Sequence, residues 1–210
     1  MHAINAWDED GGNTVVMVAP NVLSVEHTFE RMNLIHDSVE KVKIDLKTGI
    51  VTRQPLSTRN LDFAVINPAY VGKKNSYTRL QITDSMKNFL VIKILSLTIV
   101  TIYIPMSFEY VYAAAMGDST VFKLSGVVKL DVSLSEDDRR DCIVASRMFG
   151  PGCYGGEPFF VAKSPRNPQA DEDDGYVLDY VHDENTGESK FLVMAAKSPD
   201  LVRESELNKL

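Results

Sequence analysis

The chain has 210 residues, 44% hydrophobic and 24% charged, which is the composition of a globular protein with a core of its own. Its net charge is −7 and no Lys/Arg cluster appears, which excludes a polyanion-binding role such as nucleic-acid recognition. Cys142 and Cys153 lack CxxC spacing and read as reduced, partly buried thiols.

The opening residues, MHAINAWDEDGG, have no basic n-region and no apolar h-region, so no signal peptide is visible. His27 and His36 follow in SVEHTFERMNLIHDS, a loop or short helix where both read as surface residues. VKIDLKTGIVTRQPL (Val42 to Leu56) then reads as a hairpin turning at Lys47-Thr48-Gly49. RNLDFAVINPAY is an apolar strand interrupted by Asp62. From Phe89 to Phe108 run twenty residues with one charge, Lys93, long enough to read as a candidate membrane span. VKLDVSLSEDDRRDCIVAS (Val128 to Ser146) is a second hairpin with a longer acidic turn. The glycine-rich GPGCYGGEPFFVA carries Glu157 just before an apolar strand. YVLDYVHDENTGESKFLVMAAK (Tyr176 to Lys197) is a third hairpin, turning at Asn185-Thr186-Gly187, with His182 on its surface.

The hairpins are spaced. Val128 and Tyr176 are 48 positions apart, and Val42 and Val128 are 86 apart. Removing the 32 residues Thr78 to Glu109 reduces the second spacing to 54. A repeat of about 50 residues is that of four-stranded propeller blades. The removed block holds no Gly and no Ala and is rich in Ile, Leu, Lys, Ser and Thr, as translated AT-rich non-coding sequence is. It reads as an insertion. A membrane anchor is the alternative, opposed by the need of neighbouring blades to pack on the same side of a bilayer.

Two acids stand in unusual settings. Asp62 and Glu157 adjoin apolar strands, and a carboxylate buried there needs a partner. The bland reading is a structural acid satisfied by backbone; the sharper one is an acid that orients a metal-bound imidazole. His2 is one imidazole, and one imidazole does not make a metal site.

HAINAWDEDGG, STRNLDFAVINPAYVGKKN, SGVVKLDVS, GPGCYGGEPFFVAK and DEDDGYVLDYVHDENTGESKFLVMAAKSPDL together resemble the carotenoid cleavage dioxygenases, in particular the plant plastid-globule subgroup related to the 9-cis-epoxycarotenoid dioxygenases. The likeness covers positions 1 to about 77 and about 110 to 201. It implies an all-β fold, part of a seven-bladed β-propeller, around a non-haem Fe(II) held by four histidines. It implies a carotenoid or apocarotenoid substrate cleaved with O2 to carbonyl products, at the 9,10 or 9′,10′ double bond in this subgroup. It implies a plastid location, with no transit peptide in this chain. It implies no membrane span and at most peripheral membrane association. By motif position His2 matches the third iron ligand. Asp62, where many relatives have Glu, matches the acid bonded to that imidazole, and Glu157 the acid that orients the fourth histidine.

The departures lead to further expectations. The first two ligands lie upstream of this text in the family, and the fourth lies beyond SPDL, where the sequence becomes LVRESELNKL. The expected division is propeller blades over 1–77, a retained-intron insertion over 78–109, blades over 110–201 and an aberrant tail over 202–210. The expectation for the isolated chain is that it is inactive. The alternatives are a non-catalytic binding or regulatory partner, and a membrane-anchored form.

Overall fold

The computed structural model of the chain describes residues 3–22, 34, 36–73, 75–81, 101–117, 123–137, 141–167 and 169–198. Three antiparallel sheets of four strands follow one another in the chain. The first is β1 (Asn5–Glu9), β2 (Thr14–Val22), β3 (Asp37–Asp45) and β4 (Val51–Pro55), in that spatial order. The second begins with β5 (Leu61–Val65). After an excursion through β6 (Asn75–Gln81) and β7 (Thr101–Ser107), it continues with β8 (Tyr110–Met116), β9 (Leu124–Asp131) and β10 (Ile143–Met148). The third has β11 (Cys153–Tyr154) and β12 (Phe159–Ala162) on one side of β13 (Gly175–Asp183) and β14 (Glu188–Ala195) on the other.

The three hairpins legible in the sequence are the last two strands of each sheet: β3–β4, β9–β10 and β13–β14. In two of them an Asp closing the first strand builds the turn. Asp45 Oδ1 accepts from the N–H groups of Lys47 (2.8 Å) and Thr48 (2.9 Å), and Asp183 Oδ1 accepts from Asn185 N (2.8 Å). Both turns end on a glycine with positive φ, Gly49 (72°) and Gly187 (71°), a conformation that a Cβ would strain.

The middle sheet is packed on both faces. Along β8, Val111, Ala113 and Ala115 join the core shared with the first sheet, where Trp7 and Phe108 meet at 5.5 Å between ring centroids. Tyr112, one position out of phase, faces the third sheet and stacks on Phe160 at 5.4 Å. A strand covered on both faces reads as continuously apolar, because alternation carries no solvent side.

The acidic loop before β13 joins the second and third sheets. Asn67 Nδ2 donates to the Glu172 carbonyl (2.9 Å), and the Glu172 carboxylate accepts from the N–H groups of Glu109 (2.7 Å) and Tyr110 (3.1 Å). Burial outweighs those two donors and pushes the Glu172 carboxyl up to about 8.

The excursion is a two-stranded sheet in which Asn75 pairs with Ser107 and Gln81 with Thr101, so its two ends meet. The described part of the apolar run is therefore strand, and no helix among the described residues is long and apolar enough to cross a membrane. Phe108 and Glu109, the last residues of the expected block, engage the core and the Glu172 carboxylate. Residues 82–100 and 202–210 lie outside the described residues. Both cysteines are free, Cys142 buried and Cys153 partly so.

Candidate functional site

Asp62 and Glu157 share a structural setting. Asp62 lies in β5, the edge strand of its sheet, and Glu157 lies in the break between β11 and β12 on the edge of its own, and each is at an irregularity one residue long. In β5, Asp62 pairs with Ala114 but Val65 pairs with Tyr112, so three steps on β5 span two on β8. Phe63, inside that step, has a left-handed backbone with φ 48°. Such a bulge re-aims a side chain and bends the strand. Asp62 Oδ1 accepts from the Phe63 N–H at 2.7 Å, and the residue is half-buried.

In the third sheet, Tyr154 pairs with His182 and Phe159 with Leu178. Gly155-Gly156-Glu157-Pro158 thus faces three residues of β13, Asp179 to Val181, and interrupts the edge strand. Two N–H groups of this break are bonded away from the backbone of β13. Gly155 N donates to the Leu124 carbonyl of the second sheet (2.7 Å), and Gly156 N donates to Asp179 Oδ1 (2.8 Å). Glu157 itself is exposed and has no hydrogen-bond partner among the described residues.

The bland reading of Glu157 as a buried acid satisfied by backbone does not describe it, since the residue is exposed beside the break. Among the described residues, the buried carboxylate oxygens without a partner are Asp37 Oδ1 and Asp179 Oδ2. Asp37 is 3% exposed at the start of β3, and its N–H donates to Asn60 Oδ1 at 2.5 Å, two residues before Asp62. Burial pushes its carboxyl up to about 6; Asp62 adds to the shift and His36 opposes it. Asp179 is 2% exposed, and burial pushes it up to about 6 against the Gly156 and Tyr180 N–H groups.

The histidines separate. His2, three positions before β1, and His27 lie outside the described residues. His36 is half-buried beside Asp37. His182 is exposed on β13 with its Nδ1 2.8 Å from Ser189 Oγ, as a surface residue should be. The donor set does not fit a metal by itself. Among the described residues no three His, Cys, Asp or Glu side chains are grouped to hold one, and an oxygen of Asp62 is already engaged.

Sequence reading passed over Asp37 and Asp179. Asp37 had no visible signal. Asp179 had one: in an alternating strand it shares a face with Val177 and Val181, both fully buried, so it had to be buried too.

The family described as RPE65, retinal pigment epithelial membrane protein, matches the chain in two stretches, residues 1–103 and 101–208. The chain belongs to the RPE65 carotenoid oxygenase family. Within it, the chain is 54% identical over 230 residues to the probable carotenoid cleavage dioxygenase 4, chloroplastic, of Arabidopsis thaliana, covering 100% of this chain and 32% of that protein. It is 45% identical to the 9-cis-epoxycarotenoid dioxygenase NCED1, chloroplastic, of Oryza sativa subsp. japonica, covering 96% of this chain and 26% of that one. It is 43% identical to the zeaxanthin 7,8(7′,8′)-cleavage dioxygenase, chromoplastic, of Crocus sativus, covering 96% and 44%. The chain thus spans less than half the length of these curated relatives. Among solved structures of the family fold, cobalt-substituted Synechocystis ACO aligns with a TM-score of 0.63 at 19% identity, over 94% of this chain and 34% of that one. An ACO/RPE65 chimera aligns with a TM-score of 0.65 at 20% identity, over 99% and 36%. The fold is that of the seven-bladed β-propeller, and the three sheets are blades of it.

Proposed function

We propose that the chain is a portion of an Fe(II)-dependent carotenoid cleavage dioxygenase. Its substrates are O2 and a carotenoid or apocarotenoid, cleaved at the 9,10 or 9′,10′ double bond to carbonyl products. Bound iron supplies the activation of O2. Around it, His2 serves as a ligand, and Asp62 and Glu157 orient ligand imidazoles by accepting their second N–H, which fixes the tautomer and offsets the metal charge.

The observation that carries this reading is the shared setting of the two acids. Both occupy one-residue irregularities on the edges of successive sheets, Asp62 within β5 and Glu157 between β11 and β12, where bulges commonly re-aim side chains beside active sites. His2 precedes the first strand of the remaining blade. The names of the three plant relatives, chloroplastic or chromoplastic, support a plastid location.

A single imidazole does not retain Fe(II) against water and competing ligands. On this reading the 210-residue chain alone holds no stoichiometric iron and is inactive. The expected insertion over 78–109 is supported by the meeting of Asn75 and Ser107, which closes off 76–107 and leaves Phe108 and Glu109 to the core. A second reading, a non-catalytic partner that pairs with another propeller, is favoured by apolar side chains left open on the last blade, Phe159 (61% exposed) and Tyr180 (60%).

The test is a graft. Residues 1–75 joined to 108–198, which keeps Phe108 and Glu109 in the core, replace the matching portion of the Arabidopsis relative, and products are assayed with carotenoids under aerobic, reducing conditions. Carbonyl products, lost on His2→Ala, are expected. A folded graft that cleaves nothing removes the reading.

A further inference from the structure

The sequence resemblance points to Glu157 but not to anything that holds it. Its surroundings are unusual for an exposed residue. The four residues 155–158 oppose three on β13, so the edge strand cannot keep its ladder across the break. Pro158 has no N–H to offer. The Gly156 N–H, which would otherwise be left without an acceptor, is taken by the carboxylate of Asp179, rising from the strand below at 2.8 Å. Asp179 therefore occupies the role of the missing ladder carbonyl.

The fit around this carboxylate is close. A Cβ built on Gly155 would lie 2.9 Å from Asp179 Oδ2 and 2.4 Å from the Phe149 ring, so this position must be glycine for the backbone to come so near. On the far side, the Gly155 N–H is fixed to the Leu124 carbonyl of the neighbouring blade. The residue before Glu157 is thus held by a side chain from its own blade, and the residue before that by the backbone of the preceding one.

A valine-like residue would suit the Val177–Val181 face better than an acid. A carboxylate there is costly unless its charge-assisted bond does something a neutral acceptor does less well. The cost is visible in its unpartnered Oδ2 and its raised pKa; burial is the main cause, and no charged side chain contributes.

We infer that Asp179 is a positioning residue that sets Glu157 through the Gly156 N–H. The inference rests on the proposed role of Glu157 only for its consequence at the iron; the positioning itself is a property of this chain. Asp179→Asn keeps one oxygen for Gly156 but removes the charge. Asp179→Ala removes the acceptor.

The experiment is NMR on the 15N,13C-labelled, metal-free 210-residue chain, so no loaded enzyme is needed. In the unsubstituted protein, the Gly156 amide proton should move with a midpoint near pH 6, together with the Asp179 carboxyl carbon, and the Glu157 amide should follow at the same midpoint. Asp179→Asn should abolish that titration yet keep Gly156 protected from hydrogen exchange. Asp179→Ala should speed exchange at Gly156 by about tenfold or more, the loss of one hydrogen bond, and shift Glu157. Rescue by Asn separates positioning from general destabilisation. Gly156 and Glu157 signals that stay constant while Asp179 titrates would overturn the inference, and so would unchanged Gly156 protection in Asp179→Ala. The titration of the unsubstituted chain decides the matter even if a variant fails to fold. If the NMR responses appear but Glu157→Ala and Asp179→Ala both leave iron retention in the graft unchanged, positioning by Asp179 stands and the proposed role of Glu157 at the iron falls.

Discussion

Lys129 Nζ lies 2.6 Å from Asp173 Oδ2, and both side chains are largely buried between the second and third blades. The Tyr110 ring covers the same ammonium at 3.8 Å from its centroid. Breaking such a pair from one side leaves a buried charge uncompensated. Asp173→Ala should therefore lower the unfolding free energy by roughly 3–5 kcal/mol, read from urea denaturation. Lys129→Met with Asp173→Leu should cost much less, since replacing both partners removes the burial penalty along with the attraction. A single substitution as mild as the double one would show that water reaches the pair.

Glu172 gives the interface a pH dependence. Its carboxyl is raised from 4.5 to about 8 in the folded protein, so the folded state binds its proton more tightly than the unfolded chain. Its contribution to stability is complete below pH 4.5 and is lost as pH rises through about 8. Asp37 and Asp179 act with the same sign, between 3.8 and about 6. Thermal unfolding should show a melting temperature that falls between pH 6.5 and 8, where Glu172 acts alone of the three. Glu172→Gln should flatten that slope while lowering the plateau by about 1–3 kcal/mol, because one amide oxygen replaces two acceptors.

The excursion between β5 and β8 is long for a blade connection, which ordinarily takes a few residues. Asn75 and Ser107 pair across the β6–β7 sheet, so the chain can be rejoined there with a small shift. Deleting residues 76–107 should raise soluble yield, by removing an apolar run with high aggregation tendency. Deleting 78–109 should do worse, because it also takes Phe108, whose ring packs on Trp7, and the Glu109 N–H bound by Glu172. Loss of a buried Phe ring costs roughly 3–5 kcal/mol. Equal yields from both deletions would show that Phe108 adds nothing.

What the sequence made legible follows from where each element sits. Two of the terminal hairpins end in Asp-x-x-Thr-Gly turns, and the last, β13–β14, is long and alternates cleanly, so it could be read residue by residue. The first strands could not. They are short, β12 having four residues, and both β5 and the β11–β12 edge break register, which erases period-2 alternation. Asp62 and Glu157 drew notice because an acid interrupts apolar text, but the reason each is acceptable there, a bulge, is a property of strand pairing that one strand does not reveal. The motifs carried the family; the Asp179 carboxylate beneath Gly156 appears only when two distant strands are brought together.

The central claim is that His2 and Asp62 belong to one iron site. The direct measurement is iron per chain in the purified graft, by elemental analysis after dialysis against a chelator. His2→Ala should abolish bound iron, Asp62→Ala should weaken its retention by roughly 10–100-fold, and His182→Ala should leave it at one per chain, since that ring lies on the surface beside Ser189. Full iron retained by His2→Ala, or iron lost equally on His182→Ala, would contradict the account.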